Sequence, residues 1–243
     1  MLTDDPRLAH RPVARASVFS TILLAEAIGR VVPGAARLVL DVGGGEAPYA
    51  PLVEAQAHVA IDRRAPATTL ASHRAVGDAC ELPVRDASAD VVICTEVVEH
   101  VPDDRRLYRE LRRVITDDGV LVVSAPFVHS LHESPHDYRR PTSIGLVHGL
   151  TSAGFEVDTI GAVGDTRAVA QDLAIRSVGP KVSAAVRRVP SPMADRVDSA
   201  FRRIQRLAAD RSCDRTGRSL VAIDPLRPIP RLTLGYVVLA RPG

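Results

Sequence analysis

Residues 132–142, HESPHDYRRPT, concentrate side chains that could do chemistry. The spacing His132-Glu133-x-x-His136 is that of a zinc hydrolase, in which one helix stacks both imidazoles on the same face and the glutamate acts as base. Pro135 is incompatible with that helix, because proline lacks an N–H and forces the preceding residue out of the α region. We therefore expect a polar loop at this point and no metal site.

The composition alone limits the classes of function that the chain could have. The 243 residues are 46% hydrophobic, enough for the core of a large α/β domain, and the net charge of +2 does not favour nucleic-acid binding. Three cysteines without a CxxC pair argue against a disulfide framework or a structural zinc site. Neither a signal peptide nor an apolar run of about 20 residues is evident, so we expect a cytoplasmic protein without a transmembrane helix.

Apolar segments alternate with helical patterns, which predicts βαβ units and a parallel sheet. The predicted strands are 37–42, 58–62, 74–77, 90–97, 120–126, 155–160 and 232–241, and the last two are expected to pair at the sheet edge. Helices are predicted over 17–32, from Pro48, over 103–115 and after Ser191. This pattern divides the chain into an N-terminal helical segment (1–34), a core (35–163), a basic helical insertion (164–230) and a last strand (231–243).

The predicted carboxyl ends of the first three strands carry glycines and acids that fit a nucleotide-like ligand. Asp41 ends the first strand and is followed by Gly43 and Gly45, which allow a tight turn and a close backbone approach. Asp62 ends the second strand, where a carboxylate can bind both hydroxyls of a ribose, and Asp78 follows the third. Each aspartate taken alone is also explained by a turn or a cap, but the three together favour a ligand site.

This constellation resembles the class I S-adenosylmethionine-dependent methyltransferases. LDVGGGEAPY is similar to their first motif, D-x-G-x-G-x-G, with Ala47 at the third glycine, and residues 77–101 are similar to later motifs. The resemblance implies a Rossmann-like fold with a mostly parallel seven-stranded sheet, helices on both faces and a helical insertion before the last strand. It implies S-adenosylmethionine as cofactor, bound by Asp41, Gly43, Gly45, Asp62, Asp78, Ala79, Thr95 and Glu96.

The 132–142 loop resembles an H-E-x-P-x-D-Y-x-R-x-T loop of one branch of this family, often associated with glycan or lipid pathways. It follows the fifth strand, so it should lie beside the transferred methyl group. The resemblance implies O-methylation of a small-molecule, glycan or lipid-linked acceptor. His132 and Asp137 are the candidates for the catalytic base, and Glu133, Tyr138 and Arg140 are the candidates for binding the acceptor.

The segment 176–218 holds eleven basic residues and four aspartates. It is either a solvated helical cover, which the chain-wide arginine bias favours, or a surface for peripheral membrane contact. Two other functions are weighed. A Rossmann dehydrogenase is disfavoured by Asp41 before the glycines and by the absence of a Tyr-x-x-x-Lys pair. A non-catalytic nucleotide-binding scaffold would show an eroded cofactor or acceptor loop, and neither loop is eroded.

Overall fold

A computed structural model describes residues 18–64, 68–186, 191–217, 220–222 and 232–243. Within them the helices are α1 (Val18–Gly29), α2 (Asp104–Val114), α3 (Ser143–Ser152), α4 (Thr166–Val186) and α5 (Ser191–Gly217). The strands are β1 (Ala35–Val42), β2 (Glu54–Asp62), β3 (His73–Val76), β4 (Ala89–Thr95), β5 (Ile115–Pro126), β6 (Phe155–Val163), β7 (Leu220–Ala222) and β8 (Gly235–Pro242).

The strands form one sheet in the order β3-β2-β1-β4-β5-β8-β6-β7. The first five strands of that order pair in parallel, whereas β8 is antiparallel to both β5 and β6. This arrangement confirms the predicted mostly parallel sheet and the pairing of the two late strands. It also brings the carboxyl ends of β1, β2 and β4 to one edge, where ligands bind in open α/β sheets.

Several features of the observed architecture differ from the sequence prediction, among them helix α3, which was not predicted. The helix expected from Pro48 is replaced by a single 3-10 turn at Ala50–Leu52, because only eight residues separate Gly45 from β2 and two of them are prolines. The sheet also has an eighth strand, the three-residue β7, which pairs antiparallel with β6 outside the predicted seven. No periodic pattern marks a strand that short.

Helices cover both faces of the sheet, as predicted. Strand β5 is buried on both of its faces, because Leu121 and Val123 belong to one core cluster and Val122 belongs to another. The first cluster includes α2 and α3. The second joins α1 to the insertion helices α4 and α5, through Phe19 and Ala209 among others. The N-terminal helix and the described part of the insertion therefore share one core on the same side of the sheet.

None of the helices in the described ranges combines the length and the apolar character that a bilayer span requires. Residues 1–17, including the segment compared with a signal peptide, lie outside the described residues. The basic segment 176–218 is described only in part, over α4 and α5.

Candidate active site

The loop that follows β1 is shaped by glycines. Gly43 adopts φ +67°, and a Cβ at this position would lie 2.3 Å from Cγ2 of Val97, which follows β4. A side chain is thus excluded both by the backbone conformation and by the neighbouring strand end. The loop can pack closely against the β4 end only because glycine stands there.

Asp41 lies beneath this loop and is fully buried. One carboxylate oxygen lies 3.7 Å from Nε2 of His58, which is also buried, on the neighbouring strand β2. A Cβ at Gly44 would come within 2.7 Å of the Asp41 carboxyl carbon. Asp41 therefore packs beneath the glycine loop. Because its carboxyl group occupies the space next to Gly44, that position must also lack a side chain. Gly44 was not among the residues predicted from the sequence.

Asp62 and Asp78 both lie at carboxyl ends of strands, as predicted. The Asp62 carboxylate accepts hydrogen bonds from the backbone N–H of Gly45 and of Arg64, each at 3.1 Å. Asp78 accepts from the N–H of Cys80 at 2.8 Å and is exposed, while the adjacent Ala79 is buried. The Asp62 contact joins the second strand directly to the glycine loop.

Glu96 follows Thr95 at the end of β4 and adopts φ +57°, a left-handed conformation that is uncommon for glutamate. Ser124 of β5 holds it there. The Glu96 N–H donates to the carbonyl and the hydroxyl oxygens of Ser124, both at 3.2 Å, and the hydroxyl donates to Glu96 Oε1 at 2.9 Å. Burial raises the pKa of Glu96 to about 7, against the opposing hydrogen bond from Ser124.

Glu99 lies one turn further along, in a 3-10 turn at Val98–His100. Its side chain is fully buried, and within the described ranges neither carboxylate oxygen has a hydrogen-bond partner. Burial raises its pKa to about 9, and the nearby Glu96 carboxylate contributes in the same direction. Neither Glu99 nor His100 was among the site residues predicted from the sequence. Their signal was an acid and a histidine directly after a buried strand end.

The 132–142 segment contains no helix, as Pro135 predicted. It is organised around Asp137, whose two carboxylate oxygens pair with the Arg140 guanidinium at 2.5 and 2.7 Å. Asp137 also accepts from the backbone N–H of His132 at 2.9 Å, and it lies 3.3 Å from Nδ1 of the same residue. The hydrogen bonds from Arg140 hold the pKa of Asp137 far below its usual value.

The residues of this loop separate into two groups. His132 points inward, with Nε2 at 3.9 Å from Glu99 Oε1, and burial lowers the pKa of its imidazole. Glu133, His136 and Tyr138 are exposed, and His136 Nδ1 lies 3.0 Å from the Tyr138 hydroxyl. The structure thus brings His132, Asp137 and Arg140 together with Glu99, whereas Glu133 and Tyr138 lie on the outer surface of the loop.

Known proteins resemble this chain in sequence and in fold. Residues 40–123 match the family model of the methyltransferase domain. A probable S-adenosylmethionine-dependent methyltransferase of Mycolicibacterium smegmatis is 34% identical over 142 residues, 52% of this chain and 55% of that protein. The chain spans about half the length of that curated relative.

Solved structures match over most of the chain at low identity. An S-adenosylmethionine-dependent methyltransferase from Thermotoga maritima has a TM-score of 0.53 and 15% identity, covering 93% of this chain and 92% of that one. A phosphoethanolamine N-methyltransferase of Haemonchus contortus in complex with S-adenosylhomocysteine has a TM-score of 0.53 and 16% identity, covering 91% and 52%. The chain has a class I methyltransferase fold. The domain match and the curated relative, which is described as probably S-adenosylmethionine-dependent, agree with this fold.

The residues of the carboxyl edge fit this cofactor. The Asp62 carboxylate lies beside the glycine loop, where a ribose would be held by its hydroxyls. Asp78 and Ala79 are next to it on the β3 side, and Thr95 and Glu96 on the β4 side. These are the positions that the resemblance assigns to the adenine and methionine ends of the cofactor.

Proposed function

We propose that the protein transfers a methyl group from S-adenosylmethionine to a hydroxyl of a small-molecule, glycan or lipid-linked acceptor. The observation that carries the proposal is the meeting of two sets of residues at one sheet edge. The glycine loop with Asp62 suits the cofactor, and next to the β4 end of that site the buried Glu99 carboxylate faces the partly buried His132 imidazole.

On the cofactor side the chain supplies binding and alignment. When bound, S-adenosylmethionine would supply a methyl group on a sulfonium: an acceptor oxygen would attack the methyl carbon in line, the carbon–sulfur bond would break, and the sulfur would leave as a neutral thioether. Asp62 would hold the ribose through charge-assisted hydrogen bonds, and the narrow turn at Gly43 would set the depth of the cofactor against the β4 end. The protein then has to hold the acceptor about 3 Å from the methyl carbon.

On the acceptor side the chain has to accommodate the proton that a hydroxyl loses on methylation. Of the two candidate bases, Asp137 is tied to Arg140 by two short contacts, which makes it a weak proton acceptor and an orienting group for His132. His132 is the acceptor-side group that the geometry favours, because its Nε2 faces Glu99 and burial lowers the pKa of its imidazole.

Two assays test the proposal. Isothermal titration calorimetry with S-adenosylhomocysteine should show saturable binding at one site per chain, and NAD should not bind there, which would exclude the dehydrogenase. Transfer of a labelled methyl group to a panel of hydroxylated small molecules, glycans and lipid-linked sugars should give a product with at least one class. Cofactor binding without transfer to any member of a broad panel would favour the non-catalytic scaffold.

A further inference from the structure

Three potential metal ligands converge beside the proposed acceptor position. Oε1 of Glu99 lies 3.6 Å from Nε2 of His100 and 3.9 Å from Nε2 of His132. The ligand atoms of the three residues all lie within 4.8 Å of one another. Glu99 and His100 come from the turn after β4, and His132 comes from the loop after β5, so tertiary structure alone brings them together.

The hydrogen bonds of the two histidines fix which ring nitrogen is available. His100 Nδ1 lies 2.6 Å from the carbonyl oxygen of His136, and a carbonyl can only accept, so Nδ1 must carry the proton. His132 Nδ1 faces a carbonyl oxygen of Ser130 and a carboxylate oxygen of Asp137, both at 3.3 Å, which requires the same tautomer. Both neutral rings therefore present the Nε2 lone pair to Glu99.

This arrangement turns three ligand atoms toward one another. Glu99 is fully buried, and among the described residues neither of its carboxylate oxygens has a hydrogen-bond partner. Such a set of acceptors is stabilised only by a proton or a cation placed between them. From this geometry we propose that Glu99, His100 and His132 bind a divalent first-row transition-metal cation.

The ligand set and its surroundings suit such an ion. Two imidazoles and one glutamate form a typical catalytic zinc set, which leaves a fourth position open. Bonds of about 2.0–2.1 Å place tetrahedral ligands about 3.3 Å apart, so closure from 3.6 and 3.9 Å needs shifts of about half an ångström. Asp137 behind His132 and the His136 carbonyl behind His100 are the outer hydrogen-bond acceptors that orient metal-bound histidines.

The metal site follows from the geometry alone, whereas its role in methyl transfer rests on the proposed function. A cation at this place would polarise the acceptor hydroxyl oxygen and ease loss of its proton, so that His132 acts as a metal ligand in place of a base. The sequence predicted no metal site, because Pro135 excludes the helix that would pair His132 with His136, and the proposed site departs from that prediction. The proposed site instead pairs His132 with residues from the end of β4, and His136 contributes to it only through its backbone carbonyl.

The test is titration of metal-free full-length protein with Zn²⁺ and with Co²⁺, followed by calorimetry and by the absorption spectrum of bound Co²⁺. We expect one cation per chain and Co²⁺ bands that indicate nitrogen and oxygen ligands. Glu99→Gln and His132→Ala should each weaken binding at least tenfold. His148→Ala is the matched control, because it removes an exposed histidine from α3 and should leave the affinity unchanged.

The outcomes separate this inference from the proposed function. Absence of stoichiometric binding, a Co²⁺ spectrum without nitrogen ligands, or equal affinity in the parent, Glu99→Gln and His132→Ala would each overturn the metal site. S-adenosylhomocysteine is titrated into the same samples. If it binds and the cation does not, only the metal site fails. If the cation binds and S-adenosylhomocysteine does not, the metal site stands and the proposed function fails.

Discussion

The cofactor side and the acceptor side of the same sheet edge differ in how their carboxylates are hydrogen-bonded. On the cofactor side, the Asp62 carboxylate is satisfied by backbone N–H groups of the glycine loop. On the acceptor side, Glu99 is buried with a raised pKa, and among the described residues neither of its carboxylate oxygens has a hydrogen-bond partner. The first region is arranged to bind, whereas the second keeps polar atoms buried at a cost in stability.

The contrast shows where chemistry is concentrated in this fold. Buried ionisable groups with raised pKa values are characteristic of functional sites, because stability alone would favour apolar residues there. The two sides should therefore respond differently to mutation. Changes on the cofactor side should reduce binding of S-adenosylhomocysteine, and changes on the acceptor side should reduce methyl transfer while binding persists.

The largest effect is expected on the acceptor side. His132→Ala removes the imidazole that faces Glu99, and methyl transfer should fall about 100-fold, the usual contribution of a positioned acid, base or equivalent group. The affinity for S-adenosylhomocysteine should stay within twofold of the parent. If His132→Ala lost S-adenosylhomocysteine binding together with methyl transfer, the distinction between the two sides would be contradicted.

A large effect is also expected in the glycine loop. Gly43→Ala places a Cβ where Val97 already lies and forces alanine into a left-handed conformation, so S-adenosylhomocysteine affinity should fall at least tenfold. Gly34→Ala is the matched control, because no atom lies within 4 Å of its added Cβ. Calorimetry on both variants compares them, and equal affinities would show that the tight turn is not needed for cofactor binding.

An intermediate effect is expected from Asp137→Ala, which leaves the partly buried Arg140 without its partner. The free energy of unfolding should fall by about 3 kcal/mol, and methyl transfer should fall because His132 loses its orienting group. Asp86→Ala breaks an exposed ion pair with Arg113 and should cost less than about 1 kcal/mol. Urea denaturation measures both, and a small, equal loss in the two variants would contradict the structural role of Asp137.

The smallest effect is expected at His136. Its exposed ring contacts the Tyr138 hydroxyl, while the interaction with His100 is made by its backbone carbonyl, which alanine retains. His136→Ala should therefore change methyl transfer less than about threefold. A loss as large as that of His132→Ala would contradict this expectation and would favour a zinc hydrolase site formed by His132 and His136.

The cofactor side was predictable from sequence because its signals are local. Asp41, the glycines and Asp62 each end a strand or follow one within a few residues, so spacing alone placed them at one edge. The short connection after Gly45 was missed, because a helix was predicted from Pro48, whereas only eight residues, two of them prolines, separate Gly45 from β2.

The acceptor side was predictable only in part. The 132–142 loop was located from its prolines and its place after β5, but its partner Glu99 lies 33 positions earlier and is joined to His132 only in three dimensions. The tautomers of His100 and His132 depend on backbone carbonyls, which carry no signal in the sequence. Strand β7 was missed for a related reason, because three residues do not establish a period.

The most direct test of the account is the affinity of S-adenosylhomocysteine for the parent, Asp62→Ala and Asp118→Ala, measured by calorimetry. Asp118 is an exposed aspartate near the start of β5, at the sheet edge opposite the site, and its replacement should have no effect. Asp62→Ala removes charge-assisted hydrogen bonds worth about 1.5–3 kcal/mol each, so its affinity should fall tenfold or more with the fold intact. Equal affinity in all three proteins, or no saturable binding to the parent, would contradict the assignment of this edge to the cofactor.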